Sequence, residues 1–172
     1  FDNDGDLDIF FSGTGLQGDV FTVYKNLLID GENEGSFQFV AFDSGLDPMR
    51  EGSIDLGDLN SDGYPDLVYS GVVEGIGKTS AVRQYNPQTG QHDISDFDIA
   101  DLINAQVEFG DIDGDVDLDF AIAGEYETDN NDPYSSGNAY FKVYLNRISE
   151  SAEVIANGAP TIRLSQEGPT SE

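Results

Sequence analysis

The chain has no cysteine and no tryptophan, a single histidine and seven basic residues. Without cysteine there is no disulfide framework, no thiolate metal site and no cysteine nucleophile, although this does not assign a compartment. His92 alone cannot build a His-rich zinc site, and no Gly-x-Ser-x-Gly elbow accompanies it to make a serine triad. No apolar run approaches the ~18 residues of a membrane helix. No basic-plus-apolar leader opens the chain at Phe1, so an exported form would carry its signal upstream. Seven Lys+Arg stand against 34 Asp+Glu, a formal net charge of −27 with a pI near 4.1. That balance excludes a nucleic-acid binder that works by phosphate neutralisation, and a polybasic membrane-surface module.

What is present is a folded chain. Hydrophobic residues at 38% and aromatics at 11% are too many for an acidic disordered tail. A length of 172 residues gives room for one ordinary domain or a piece of a larger one. The crowd of carboxylates must therefore be hydrated, repelled or neutralised within a fold.

Three segments align without gaps: Phe1 to Ile9, Leu59 to Leu67 (preceded by Gly57-Asp58) and Ile112 to Phe120 (preceded by Gly110-Asp111). Asp4, Asp62 and Asp115 then stand 58 and 53 residues apart, the differences of their residue numbers. Each segment leads into a short run of β-formers that ends in glycine, at Gly13, Gly71 and Gly124. A second strand with a Tyr-to-Asn ending follows at Val23 to Asn26 and Val143 to Asn146, matched loosely by Tyr85-Asn86. Polar turns lead to a third strand around Phe37 to Phe42 and Ile94 to Ile99. A further strand, Ser53 to Gly57 or Gln106 to Gly110, runs into the next loop. Four short strands per unit at a period of fifty-odd residues predict an all-β protein of β-propeller blades, about three of them. Three blades do not close a ring, so the expectation is an incomplete segment of a larger propeller, with a ring of several copies as the lesser alternative.

The second loop presents oxygen at alternate positions: Asp58, Asn60, Asp62, the main chain of Tyr64, and Asp66. The same register picks out Asp111, Asp113, Asp115, the carbonyl of Asp117, and Asp119 in the third. It retains Asp2, Asp4, the carbonyl of Asp6, and Asp8 in the first. These are hard oxygen ligands, suited to Ca²⁺ and not to zinc or copper. Two carboxylates about 4 Å apart repel by roughly 4 kcal/mol at an effective dielectric near 20. A loop that crowds several of them calls for a divalent ion. Gly63 supplies the sharp turn at the sixth position; Val116 stands there in the third loop, where either Gly114 takes over the turn or the site is distorted. An EF-hand is excluded, since Gly13, Tyr69 and Ile122 occupy its twelfth position and strands follow.

The pattern Gly-Asp-x-Asn/Asp-x-Asp-Gly-x-x-Asp-Leu, then a strand and Gly, then a Tyr-x-Asn strand, resembles the FG-GAP (VCBS-type) repeat of integrin-α-like β-propellers. Leu56-Gly57 and Phe109-Gly110 sit at the family's Phe-Gly pair. The resemblance covers about residues 1–147. It implies two or three calcium ions, in loops between the first and second strands of each blade. It also implies an extracellular or cell-surface protein, secreted and bacterial, in adhesion or ligand binding.

Residues 148–172 have a different texture and are expected to be a last outer strand, a linker or the start of an Ig-like domain. A glycan or protein ligand is expected on the face opposite the calcium loops. The acidic, tyrosine-bearing stretch Glu125 to Tyr134 is a candidate there, against the simpler reading of a solvated hairpin tip. Arg50, Arg83, His92 and Tyr134 show no catalytic spacing. A non-catalytic calcium-binding module is therefore favoured over the propeller portion of a secreted polysaccharide lyase or hydrolase.

Overall fold

The computed structural model describes residues 3–28, 39–42, 45–95, 97–126, 138–148 and 164–166. Every regular element among them is a strand. The order is β1 (Ile9–Gly15), β2 (Gly18–Asn26), β3 (Phe39–Phe42), β4 (Met49–Gly57), β5 (Asp66–Val73), β6 (Gly77–Asn86), β7 (Gln91–Ile94), β8 (Leu102–Gly110), β9 (Asp119–Tyr126), β10 (Asn138–Asn146) and β11 (Leu164–Gln166). They form three antiparallel sheets, ordered β1-β2-β3, β4-β5-β6-β7 and β11-β10-β9-β8. Successive up-and-down sheets of this kind are propeller-like blades. Leu164–Gln166 is the outer strand of the third sheet, paired with β10 through Tyr144↔Gln166.

The strands reach further than the β-forming runs in the sequence. Arg50 and Leu102 lie within strands although polar or turn-like residues surround them, because pairing with β5 and β9 carries the ladder onward. The connections between strands are correspondingly short: β1 and β2 are joined by a turn at 16–17, and β5 and β6 by a turn at 74–76, where Gly75 and the adjoining Gly77 take positive φ. The outer strand expected around Ile94 to Ile99 instead runs Gln91–Ile94, since Ser95 breaks away to bond Val82 with both its N–H and its hydroxyl.

β4 and β8 carry the same irregularity. Register slips between Arg50 and Ser53 and between Ile103 and Gln106, where Glu51 (φ 53°) and Asn104 (φ 48°) turn left-handed. These are β-bulges. At the first, Gly52 is required: a Cβ there would fall 1.9 Å from the Ser70 carbonyl oxygen.

Every residue of β5 is buried, which is why its run Leu-Val-Tyr-Ser-Gly-Val-Val shows no polar alternation. One face of this sheet joins Val68 and Val82 to Leu102, Val107, Phe120, Ile122 and Tyr144 of the third sheet. The other face presents Leu67, Tyr69 and Val73 to Phe10 of the first. The sheets are also stitched by polar bonds. Ser12 Oγ donates to the Met49 carbonyl (2.8 Å), Arg50 pairs with Asp19, and the Phe109 N–H donates to Asp55 Oδ2 (2.8 Å). The acidic loops joining β4 to β5 and β8 to β9 therefore emerge at the same end of adjacent packed sheets.

Candidate metal centre

All three loops share one backbone. Their fourth position is left-handed in each (Asn3 φ 59°, Ser61 φ 57°, Gly114 φ 83°), and so is their sixth (Gly5 98°, Gly63 89°, Val116 80°). Gly114 therefore does not relieve Val116 of the turn, as the sequence had left open; both residues bend. The fifth-position carboxylate closes each loop from within. Asp4 Oδ1 accepts the Asp6 N–H at 3.1 Å, Asp62 Oδ1 that of Tyr64 at 2.9 Å, and Asp115 Oδ1 that of Asp117 at 3.0 Å.

In the second loop Asp58 accepts the N–H groups of Asp62 (3.0 Å) and Gly63 (2.9 Å) on its two oxygens. Asn60 Oδ1 also accepts from the Asp62 N–H, and Asn60 Nδ2 donates to Asp62 Oδ2 at 3.0 Å. The Tyr64 side chain packs sideways, stacked on Tyr85 with centroids 5.1 Å apart. In the third loop Asp111 takes the N–H groups of Gly114 (2.8 Å) and Val116 (3.3 Å). In the first, Lys25 Nζ stands 4.0 Å from Asp4 Oδ2, and Asp2 lies outside the described residues.

The third loop brings three carboxylates together: Asp111, Asp113 and Asp115 each offer an oxygen within 4.8 Å of the others. Two oxygens on opposite sides of a calcium ion at 2.3–2.6 Å stand roughly 5 Å apart, so the donor set and its span fit that hard cation. Among the described residues it is the one such group of three acidic or imidazole side chains. The second loop has Asn60 where the third has Asp113, so fewer of its donors are charged. The Asp113 carboxyl is pushed up, first by desolvation and then by Asp115 and Asp119.

Asp66 and Asp119, the ninth-position residues, stand apart from such a group. Both are fully buried, with each oxygen taken by a backbone N–H. Asp66 accepts from Leu59 (3.0 Å) and Tyr85 (3.0 Å); Asp119 accepts from Ile112 (2.7 Å) and Asn146 (2.7 Å). Asp8 likewise accepts the Asn26 N–H at 2.8 Å. These residues latch each loop to the end of β2, β6 or β10 in its own sheet, a role their spacing did not reveal. Burial drives the Asp66 carboxyl up to about 7, with Asp62 and Asp58 adding to the shift and the two N–H donors opposing it.

The latch also corrects the repeat alignment. Tyr24, Arg83 and Tyr144 pair with Ile9, Leu67 and Phe120, so Tyr85, not Asn86, occupies the place of Asn26 and Asn146. In the outer blades that asparagine donates through Nδ2 to the eighth-position carbonyl, Leu7 at 3.3 Å and Leu118 at 3.2 Å. In the middle blade His92 stands in. A carbonyl only accepts, so His92 Nε2–H donates to Pro65 O at 3.1 Å. His92 is 3% exposed, and burial holds its imidazole below the ordinary range.

A family model described as FG-GAP-like repeat matches residues 1–69, which take in the first and second loops and the start of β5. Over that span the chain is similar to an FG-GAP-like repeat. The third loop lies beyond the matched span, yet it repeats the FG-GAP-like loop's left-handed positions and its ninth-position latch. Comparison with curated proteins and with solved structures gives no match.

Proposed function

We propose that this β-propeller-like module binds calcium in its acidic loops. It acts without catalysis, as an adhesion, ligand-binding or supporting part of an extracellular or cell-surface protein. The observation that carries the reading is the meeting of Asp111, Asp113 and Asp115 in a wholly oxygen-donor loop. Asp58, Asn60 and Asp62 occupy the same positions of the second loop, and Asp4 and Asp6 retain part of the first. The carbonyls of Tyr64 and Asp117 add to the expected ligand sets, and Asp66 and Asp119 join them through the lone pairs that their backbone N–H bonds leave over.

Affinity links the metal to location. With a dissociation constant of about 0.1 mM, as in extracellular modules, about 1 mM calcium stabilises each site by roughly 1.4 kcal/mol. Sub-micromolar cytosolic calcium supplies nothing comparable. A non-catalytic role draws support from the basic and imidazole groups that chemistry would need. Arg50 is engaged with Asp19, Arg83 donates to the His92 carbonyl and lies over the Tyr69 ring, and His92 is buried under Pro65. Tyr134 and most of the stretch Glu125 to Tyr134 lie outside the described residues.

Isothermal titration of the chelator-stripped chain with calcium chloride tests this. Binding near 0.1 mM is expected, with a melting temperature lowered by EDTA and restored by calcium. Asp113→Ala and Asp62→Ala should each remove one site. Indifference of the melting temperature to chelation, with no heat of binding, overturns the reading.

A further inference from the structure

The second and third loops are joined through the protein interior. The Leu59 peptide, at the second position of the second loop, donates its N–H to Asp66 Oδ2 at 3.0 Å. Its carbonyl accepts from Asn146 Nδ2, on the neighbouring blade, at 2.6 Å. The same Nδ2 donates to the Leu118 carbonyl of the third loop (3.2 Å), while the Asn146 N–H donates to Asp119 Oδ1. Asp66, Leu59, Asn146 and Asp119 are at most 1% exposed, so water replaces none of these bonds. One amide thus holds a carbonyl from each loop, and a continuous run of hydrogen bonds connects the two ninth-position carboxylates.

We propose that the second and third loops bind their cations with positive coupling, and that Asn146 is the positioning residue that carries it. The inference rests on the calcium reading above. Closing carboxylates on an ion removes freedom from a loop. Once the second loop is ordered, the Leu59 carbonyl stands fixed and holds the Asn146 amide, which in turn holds Leu118 and the main chain facing Asp119. The third loop then has less ordering left to undergo when its own ion arrives, and by reciprocity the effect runs both ways. Hydrogen bonds that share an amide in a low-dielectric interior also polarise one another, which strengthens the relay. The middle blade places Tyr85, which has no side-chain amide, at the register of Asn146, so this device belongs to the second and third loops.

The test is a thermodynamic cycle on the full chain, titrated calorimetrically with calcium chloride. Asp113→Ala, which disables the third loop, should weaken binding at the second by about fivefold or more, within the usual range of coupling between sites. With Asn146→Ser, the same Asp113→Ala change should alter the second site by less than about twofold. Unchanged affinity at the second site in the first comparison, or coupling that survives Asn146→Ser, overturns the proposal while leaving calcium binding intact. Absence of any binding in the unmodified chain overturns both. A second measurement avoids the risk that Asn146→Ser fails to fold. In Asp62→Ala, where only the second loop is disabled, calcium loading of the third should shift the NMR signals of the Leu59 amide and the Asn146 side-chain NH₂. Unmoved signals overturn the relay.

Discussion

Val116 sits at φ 80° with its side chain 86% exposed, so it suffers the backbone strain of the left-handed region without any packing to offset it. The left-handed conformation costs an ordinary L-residue roughly 1–2 kcal/mol, while glycine loses about 0.5–1 kcal/mol in extra chain entropy. The strain is the larger quantity. Val116→Gly should therefore stabilise the chain by roughly 0.5–1 kcal/mol, read as a higher urea midpoint at unchanged slope; a lower midpoint would contradict the strain. Asp66 is a second residue whose environment sets its behaviour. Its carboxyl is raised from 3.8 to about 7, so the fold favours the protonated form. That contribution is fully present below about pH 4 and is lost as pH rises through 7. Asn at this position cannot accept two backbone N–H groups and should be less stable. In chelator, the gap between the native chain and Asp66→Asn should narrow from pH 5 to pH 8, because other titrating groups cancel in the difference. A gap that widens with pH would reverse the sign of the Asp66 shift.

At the scale of an element, β6 shows how a repeat survives a lost residue. Asn26 and Asn146 each do two things: the backbone bonds the ninth-position aspartate and the side chain bonds the eighth-position carbonyl. β6 divides the work. The Tyr85 backbone takes the first bond and His92, its cross-strand partner in β7, takes the second. The Tyr85 ring fills the space between, stacked on Tyr64 and edge-on to His92. Asn86, by contrast, serves the following turn, accepting the Gln88 N–H and donating to Asp93 in an exposed setting. Tyr85→Ala should then cost about 3 kcal/mol and Asn86→Ala less than about 1 kcal/mol, compared by chemical denaturation. The opposite order would return the structural role to Asn86.

Across the whole molecule, attraction and repulsion act on different parts. The apolar clusters between sheets, around Val68, Leu102 and Phe120 on one side of β5 and Leu67 and Tyr69 on the other, hold the blades together. The net charge of −27 pushes outward on everything they hold. Salt shortens the reach of that repulsion from about 30 Å at 0.01 M to about 8 Å at 0.15 M. In chelator, raising sodium chloride from about 10 to about 150 mM should raise the melting temperature by a few degrees, the shift expected of roughly 1 kcal/mol in a domain of this size. Saturating calcium should make that response smaller. A melting temperature that stays flat or falls with salt would show that the charges are already compensated within the fold.

The all-β blades, the loop positions and the order of strands were legible in the sequence, because loops with Asp or Asn at alternate positions, each followed by an apolar strand, recur at intervals of fifty-odd residues and each states a local requirement of the backbone. The ends of strands were not, since Met49 to Gly52 and Leu102 to Ala105 become strand only by pairing with neighbours, through bulges at Glu51 and Asn104 that no local preference marks. Composition and spacing by themselves determined which residues offer oxygen and how far apart the loops fall along the chain. Only the tertiary structure decided that Asp66 and Asp119 face inward onto backbone N–H groups, that His92 replaces an asparagine, and that Asn146 ties one loop to the next. Those contacts join residues tens of positions apart. They depend on how one sheet is laid against another, and a repeat read along the chain carries no information about the packing across it.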